Sequence, residues 1–294
     1  ADSDGKQKHD LPLLPEWDKL LGKPDAASRK LFAEIVRTNG EFLEASAADR
    51  TKTADVCAAR CEAVFERVRA PKGQLKAEPA DVAAVLFVDS LAPTRMTERT
   101  QVVPAWLLRN PGLAEALDGK ETRPAVRRLV VRWAEHQQAN GPIRPIALAE
   151  FADLARKRPF PEAVPVLAKL AGDKTTRGFL IQRLLAVEAL GAVGGTEAAA
   201  ALAELVPDST VMFRIGGPDG KDGPPFGDQA LAASLRLHGN KVEDYGLTCT
   251  DHRFVPPFGK DYIPMTVYDF PSADARAMAV KKWRDEVEKK DAKK

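Results

Sequence analysis

The chain has 294 residues, of which 44% are hydrophobic and 6% aromatic, and its formal net charge is +2. That length fits one large domain or two ordinary ones. The charge balance lacks the basic excess of a typical nucleic-acid binder, and no run of eighteen apolar residues is present to span a membrane.

Residues 1–24 read as an N-terminal extension. The first ten, ADSDGKQKHD, are polar and start at Ala1, as a chain does after signal-peptide cleavage. The expected location is the periplasm or cell envelope, with the cytoplasm as the alternative. A lead-in around Trp17 is broken by Pro12, Pro15 and Gly22. Over 25–38 the apolar residues Leu31, Ile35 and Val36 recur at helical spacing, and Asn39-Gly40 predicts a stop. A short helix is expected at 41–47 and a long one at 50–70, with Val56, Ala59, Ala63, Val64 and Val68 on one side. Residues 71–79 form a polar connector, and 81–91 is a very apolar helix. Another helix is expected over 97–108, irregular at Pro104. Asn110-Pro111-Gly112 is a turn opening a short helix to 117. The helix at 122–139 turns Val126, Leu129, Val130 and Trp133 inward.

Beyond Pro142 the rhythm becomes regular. Helices are expected at 143–156, from 160 to 170, at 176–193 and at 196–206, separated by turns at Gly172-Asp173 and Gly194-Gly195. Residues 208–227 and 239–271 are rich in Gly and Pro and read as two long irregular loops, with a helix at 228–237 between them. A last helix, 272–290, carries Ala275, Met278, Ala279 and Trp283 on one face. Loops this long inside a helical chain are uncommon and point to function or to ordered flaps.

Two segments repeat. FPEAVPVLAKLAGD (160–173) aligns with GTEAAAALAELVPD (195–208) at an offset of 35 residues. IRPIALAEFADLA (143–155) aligns with QRLLAVEALGAVG (182–194) at an offset of 39, with Arg144 over Arg183 and Ala147 over Ala186. GDQALAASLRLHG (227–239) is a looser third copy. Periods of this size with two helices each mark a helical solenoid.

This pattern resembles the HEAT-like repeat family. Arg183, Ala186, Ala189, Leu190, Gly191, Val193 and Gly194 stand where the second helix of such a repeat reads Val-Arg-x-x-Ala-Ala-x-Ala-Leu-Gly-x-Leu-Gly. The match is good over 160–207, fair over 142–160 and 227–239, and fades before 140. The resemblance implies an all-α fold, a right-handed α-solenoid of antiparallel helix pairs, with the two long loops near the C-terminus. The expected organisation is the 1–24 extension, divergent helix pairs over 25–140, HEAT-like repeats over 141–207, and a loop-rich helical cap over 208–294. Such proteins usually bind or scaffold other proteins, although relatives include bilin lyases and a DNA-glycosylase group, so the fold leaves catalysis open.

Candidate chemistry is sparse. Cys57 and Cys61, four apart on one helix, are expected to be small buried residues. Cys249, Asp251 and His252 in TCTDHRF offer metal-ligand chemistry, though their spacing fits no established zinc pattern. GGPDGKDGPPFGD (216–228) misses both the P-loop and the EF-hand patterns. Arg123, Arg127, Arg128 and Arg132 make a basic strip on one helix, which Arg144 and Arg183 would reinforce. A solvated or internally engaged face is the ordinary role for such a strip; an acidic partner or a phosphate is the functional one.

The leading expectation is a non-catalytic scaffold or adaptor that binds another protein, with no cofactor. Arg123, Arg127, Arg132 and Arg144 are its candidate binding residues. One alternative is a HEAT-like nucleic-acid-binding protein or DNA-glycosylase relative resting on the arginine strip. Another is a metal-dependent enzyme using Cys249, Asp251 and His252.

Overall fold

The computed structural model describes residues 13–22, 25–69, 77–91, 107–118, 121–139, 145–174, 180–212, 214–215, 221–254 and 263–291. The described residues are mostly helical. The chain divides into two compact units between Leu154 and Ala155.

The first unit contains α1 (Leu14–Leu21), α2 (Ala26–Ala48), α3 (Thr53–Arg69), α4 (Pro79–Leu91), α5 (Pro111–Asp118) and α6 (Arg123–Ala139). α7 (Pro145–Lys157) carries the division between the units. α4 is the hub. Every residue from Ala80 to Ser90 is buried, and α2, α3, α5 and α6 all pack on it. PADVAAVLFVDSL is apolar nearly all round, the pattern of a helix with no solvent face. Phe87 of α4 meets Trp17 of α1 edge-on at 5.0 Å, and Trp17 lies 5.2 Å from Phe32 of α2. The Trp17 indole N–H donates to Ser28 Oγ at 2.8 Å, so the one polar atom of this buried ring is satisfied. Asp25 caps α2 by accepting from the Ser28 amide at 2.8 Å.

At Asn39-Gly40, where the sequence predicts a stop, two helical segments meet at a kink. The two segments together make α2, and Asn39 between them is non-helical (φ −135°, ψ 26°). Apolar side chains on both sides of the kink are buried: Leu31, Phe32 and Ile35 before it, Phe42 and Leu43 after it. Asn39 is itself buried and accepts from Arg60 of α3, which also donates to Asp81 of α4 at 2.9 Å.

The second unit contains a 3-10 turn (Pro161–Ala163), α8 (Val164–Gly172), α9 (Leu180–Val193), α10 (Gly195–Leu205), α11 (Phe226–Leu237) and α12 (Ala273–Asp291). α8 packs on α9 and α10; α9 packs on α10 and α11; α10 packs on α11. α8 and α9 therefore each touch the next helix and the next but one. Gly194 (φ 72°) and Gly195 (φ 83°) make the reversal between α9 and α10, a left-handed conformation that glycine adopts without strain. Leu185, Ala186, Ala189 and Leu190 are fully buried.

The expected loops hold strands. In 208–227, β1 (Arg214–Ile215) pairs antiparallel with β2 (Lys221–Asp222), and Val211 bridges Pro225. In 239–271, a 3-10 turn (Val242–Tyr245) precedes a hairpin of β3 (Thr248–Phe254) and β4 (Ile263–Asp269). In β4 Ile263, Met265 and Val267 alternate with Pro264 and Thr266, a strand pattern; β3, TCTDHRF, is polar and lacks it, and the Gly and Pro between the strands read as loop. The helix expected over 97–108 lies outside the described residues except for its last two.

Candidate functional site

The polar chemistry of the second unit gathers where α10 ends and α11 begins. Arg183 projects from α9 and is buried. Its Nε donates to Ala171 O at 2.7 Å, closing the end of α8. Its Nη2 donates to Asp208 Oδ2, and its guanidinium lies 3.8 Å from the centre of the Phe226 ring. Asp208 also accepts from the Thr210 amide at 2.9 Å and the Thr210 hydroxyl at 2.6 Å, with Lys174 Nζ 3.6 Å away. Burial alone would raise the Asp208 pKa; the Thr210 donors and Arg183 outweigh it and hold the carboxyl at about 2. The pair ties α9 to the end of α8 and to the residues after α10, and both members are consumed by it.

Twenty residues on, a second pair has a different balance. Asp228, in the first turn of α11, is buried. Its Oδ1 accepts from Arg276 Nε of α12 at 2.6 Å, while its Oδ2, also buried, has no hydrogen-bond partner among the described residues. Burial raises its pKa to about 6; Arg276 opposes the rise, and the negative charge of Asp269 adds to it. Arg276 Nη2 donates in addition to Val206 O at 3.0 Å. Gly227 allows this crowding. A Cβ there would run into the carbonyl oxygens of Val206 and Asp208.

Gln229, one residue further, joins α11 to the hairpin. Its side-chain amide donates to Tyr268 O at 2.7 Å and accepts from Tyr268 N at 3.2 Å, pairing with β4 as another strand would. Arg236 donates to the Tyr268 hydroxyl at 2.8 Å. A cavity of about 10 Å³ lies here among Glu188, Gln229, Arg236 and Tyr268, room for one water. A larger open groove of about 290 Å³ runs between α10 and α12. Ala203, Val206, Pro207, Trp283 and Val287 line it, with Arg284 as its one charged group.

The sequence-predicted residues distribute as follows. Arg127 Nε donates to Leu117 O at 3.1 Å. Arg132 pairs with Glu135 at 2.6 Å. Arg128 pairs with Asp25 at 2.7 Å; the Ser28 amide and, against burial, Arg128 hold the Asp25 carboxyl below its usual range. Arg123 is exposed at the start of α6, and Arg144 lies outside the described residues. Cys249 and Asp251 are exposed on β3, and Asp251 accepts from Thr266 Oγ1 at 3.0 Å. His252 stands opposite Met265 in the hairpin register, and its side chain lies outside the described residues. Among the described residues no group of three or more His, Cys, Asp or Glu is placed to hold a metal ion. Cys57 and Cys61 are buried free thiols, as expected of small core residues.

Sequence reasoning passed over Asp228 and Arg276. The signal was present: FGDQALAASL carries one carboxylate in an otherwise apolar, small-residue segment, and a carboxylate buried there requires a cation. Compared with protein-family models, curated proteins and solved structures, the chain finds no match.

Proposed function

We propose that this chain is a non-catalytic, HEAT-like scaffold or adaptor, a right-handed α-solenoid whose helix pairs present a surface to another protein. The observation that carries this reading is the packing order of α8, α9, α10 and α11. Contact with the next helix and the next but one is how a solenoid propagates, each repeat being stabilised by its neighbours. The consumption of Arg183 and Asp208 between repeats supports it further, because these charges serve the stack rather than a substrate.

The groove between α10 and α12 is the surface assigned to the partner. It is apolar, open and joined to the stack. A photo-crosslinking residue at Ala203, in the organism that makes the protein, should trap one discrete partner. The same probe at Arg132, on the other unit, should trap none. Recovery of the chain uncrosslinked from both positions, with turnover of a small substrate by the purified protein, rejects the reading.

A further inference from the structure

Arg183, Arg276 and Arg236 of the second unit are engaged within it, by Asp208, by Asp228 and by the Tyr268 hydroxyl, and Arg156 lies 3.6 Å from Glu188. Arg284 of α12 is different. It is exposed, and no ion pair or hydrogen bond holds its side chain among the described residues. It stands on the wall of the apolar groove between α10 and α12.

The other groups that line this groove have no hydrogen-bond donor to offer. The Trp283 indole N–H donates to Ser234 Oγ at 3.0 Å, so only the apolar part of the ring remains for a ligand. The Val206 amide donates to Ala203 O at 3.3 Å, and Val206 O accepts from Arg276 Nη2 at 3.0 Å. Pro207 has no N–H. The amides of Ala203, Trp283, Arg284 and Val287 lie inside helices and belong to the helical ladder. The Arg284 guanidinium is therefore both the free donor and the charge of the lining. Glu204 and Asp285, the acids beside lining residues in the chain, do not line the groove.

We propose that the groove takes an acidic segment of the partner protein: an apolar side chain lies on Val206, Pro207, Trp283 and Val287, and a neighbouring Asp or Glu accepts from Arg284. This rests on the groove being the partner surface and names what that partner must carry. Two features select the chemistry. A guanidinium offers a carboxylate two parallel N–H donors and repels a basic segment. A floor without free donors leaves a buried polar side chain unsatisfied, which costs free energy, whereas an aliphatic or aromatic side chain gains by leaving water. The volume, about 290 Å³, is at the small end of ligand pockets, and the groove is open, which suits side chains presented by a peptide. Tryptophan and arginine are also the residue types in which binding energy concentrates at protein interfaces.

Selection of random phage-displayed peptides against the full chain tests this. Enriched peptides should carry an aliphatic or aromatic residue with Asp or Glu a few residues away. A synthetic copy of the most enriched peptide should bind Arg284→Ala about 10-fold more weakly than wild type, the loss expected for one arginine hot spot. Arg284→Glu should enrich peptides with Lys or Arg in place of the acid. Lys169→Glu, an equal change of charge at an exposed position of α8, should enrich the wild-type sequences. Arg284 is exposed and unpaired among the described residues, so neither change there removes an internal contact. The proposal is overturned if no sequence is enriched, if the consensus lacks an acid, if Arg284→Glu keeps an acidic consensus, or if Lys169→Glu loses it. Crosslinking at Ala203 decides the scaffold reading separately. A partner trapped there, beside a consensus without an acid, leaves the scaffold standing and removes only its acidic ligand.

Discussion

α4 in the first unit and α11 in the second are both buried over ten or more consecutive residues, yet they are buried for different reasons. α4 carries Val82, Val85, Leu86, Phe87 and Val88 and fills the space among α2, α3, α5 and α6 with bulk. α11 buries Phe226, Leu231 and Leu235, but between them it carries Gly227, Ala230, Ala232, Ala233 and Ser234, where α9 and α10 close in. At Gly191 of α9, an added Cβ would meet the Ala233 Cβ at 3.4 Å, already the limit of ordinary contact. Both helices also bury acids. Asp89 of α4 accepts from the Trp133 indole at 2.7 Å and from Gln137 at 2.9 Å, whereas Asp228 of α11 meets a guanidinium. A helix can thus lose its solvent face by being apolar or by being small.

The two helices should consequently fail in opposite directions. Phe87→Ala should have the largest effect, destabilising the protein by about 3–5 kcal/mol in urea unfolding, because the cavity among Trp17 and Phe32 cannot close. A loss under about 1 kcal/mol would mean that α4 is not the space-filling hub. Ala233→Leu should come next, at about 1–3 kcal/mol from overpacking against Gly191; tolerance of leucine there would break the contrast. Arg132→Ala should be smallest, within about 0.5 kcal/mol by the same measurement, because its partner Glu135 lies on the exposed face of the same helix. A larger loss would show that the arginine strip bears load in the first unit.

These elements were legible in the sequence to different degrees. The run from Ala80 to Ser90 announces a buried helix by composition alone. The repeat at 160–208 was readable because the same Ala, Leu and Gly positions recur, and the Gly194-Gly195 reversal stands where it was expected. Asn39-Gly40 stands where one helical segment ends and the next begins, so the local turn signal was readable, whereas the burial of Phe42 and Leu43 beyond it was not. The hairpin at 248–269 was hidden because register and cross-strand pairing join residues distant in the chain, whereas Gly and Pro are visible one at a time. Of the candidate site, Arg183 stood out as a repeat position, but its role as the cap of α8 and the partner of Asp208 could not be read from spacing.

By itself the sequence determined the predominance of helix, the apolar identity of α4 and the positions of α8 to α11, because periodicity and composition act over a few turns of one helix. Tertiary structure alone decided which charges are consumed. Asp208 and Asp228 stand in similar local sequence, each near the start or end of a helix. One is surrounded by donors and held at about 2, the other is short of one and raised to about 6. Burial raises both; at Asp208 Thr210 and Arg183 outweigh it, whereas at Asp228 Arg276 does not, because the charge state of a buried carboxylate depends on every group packed around it.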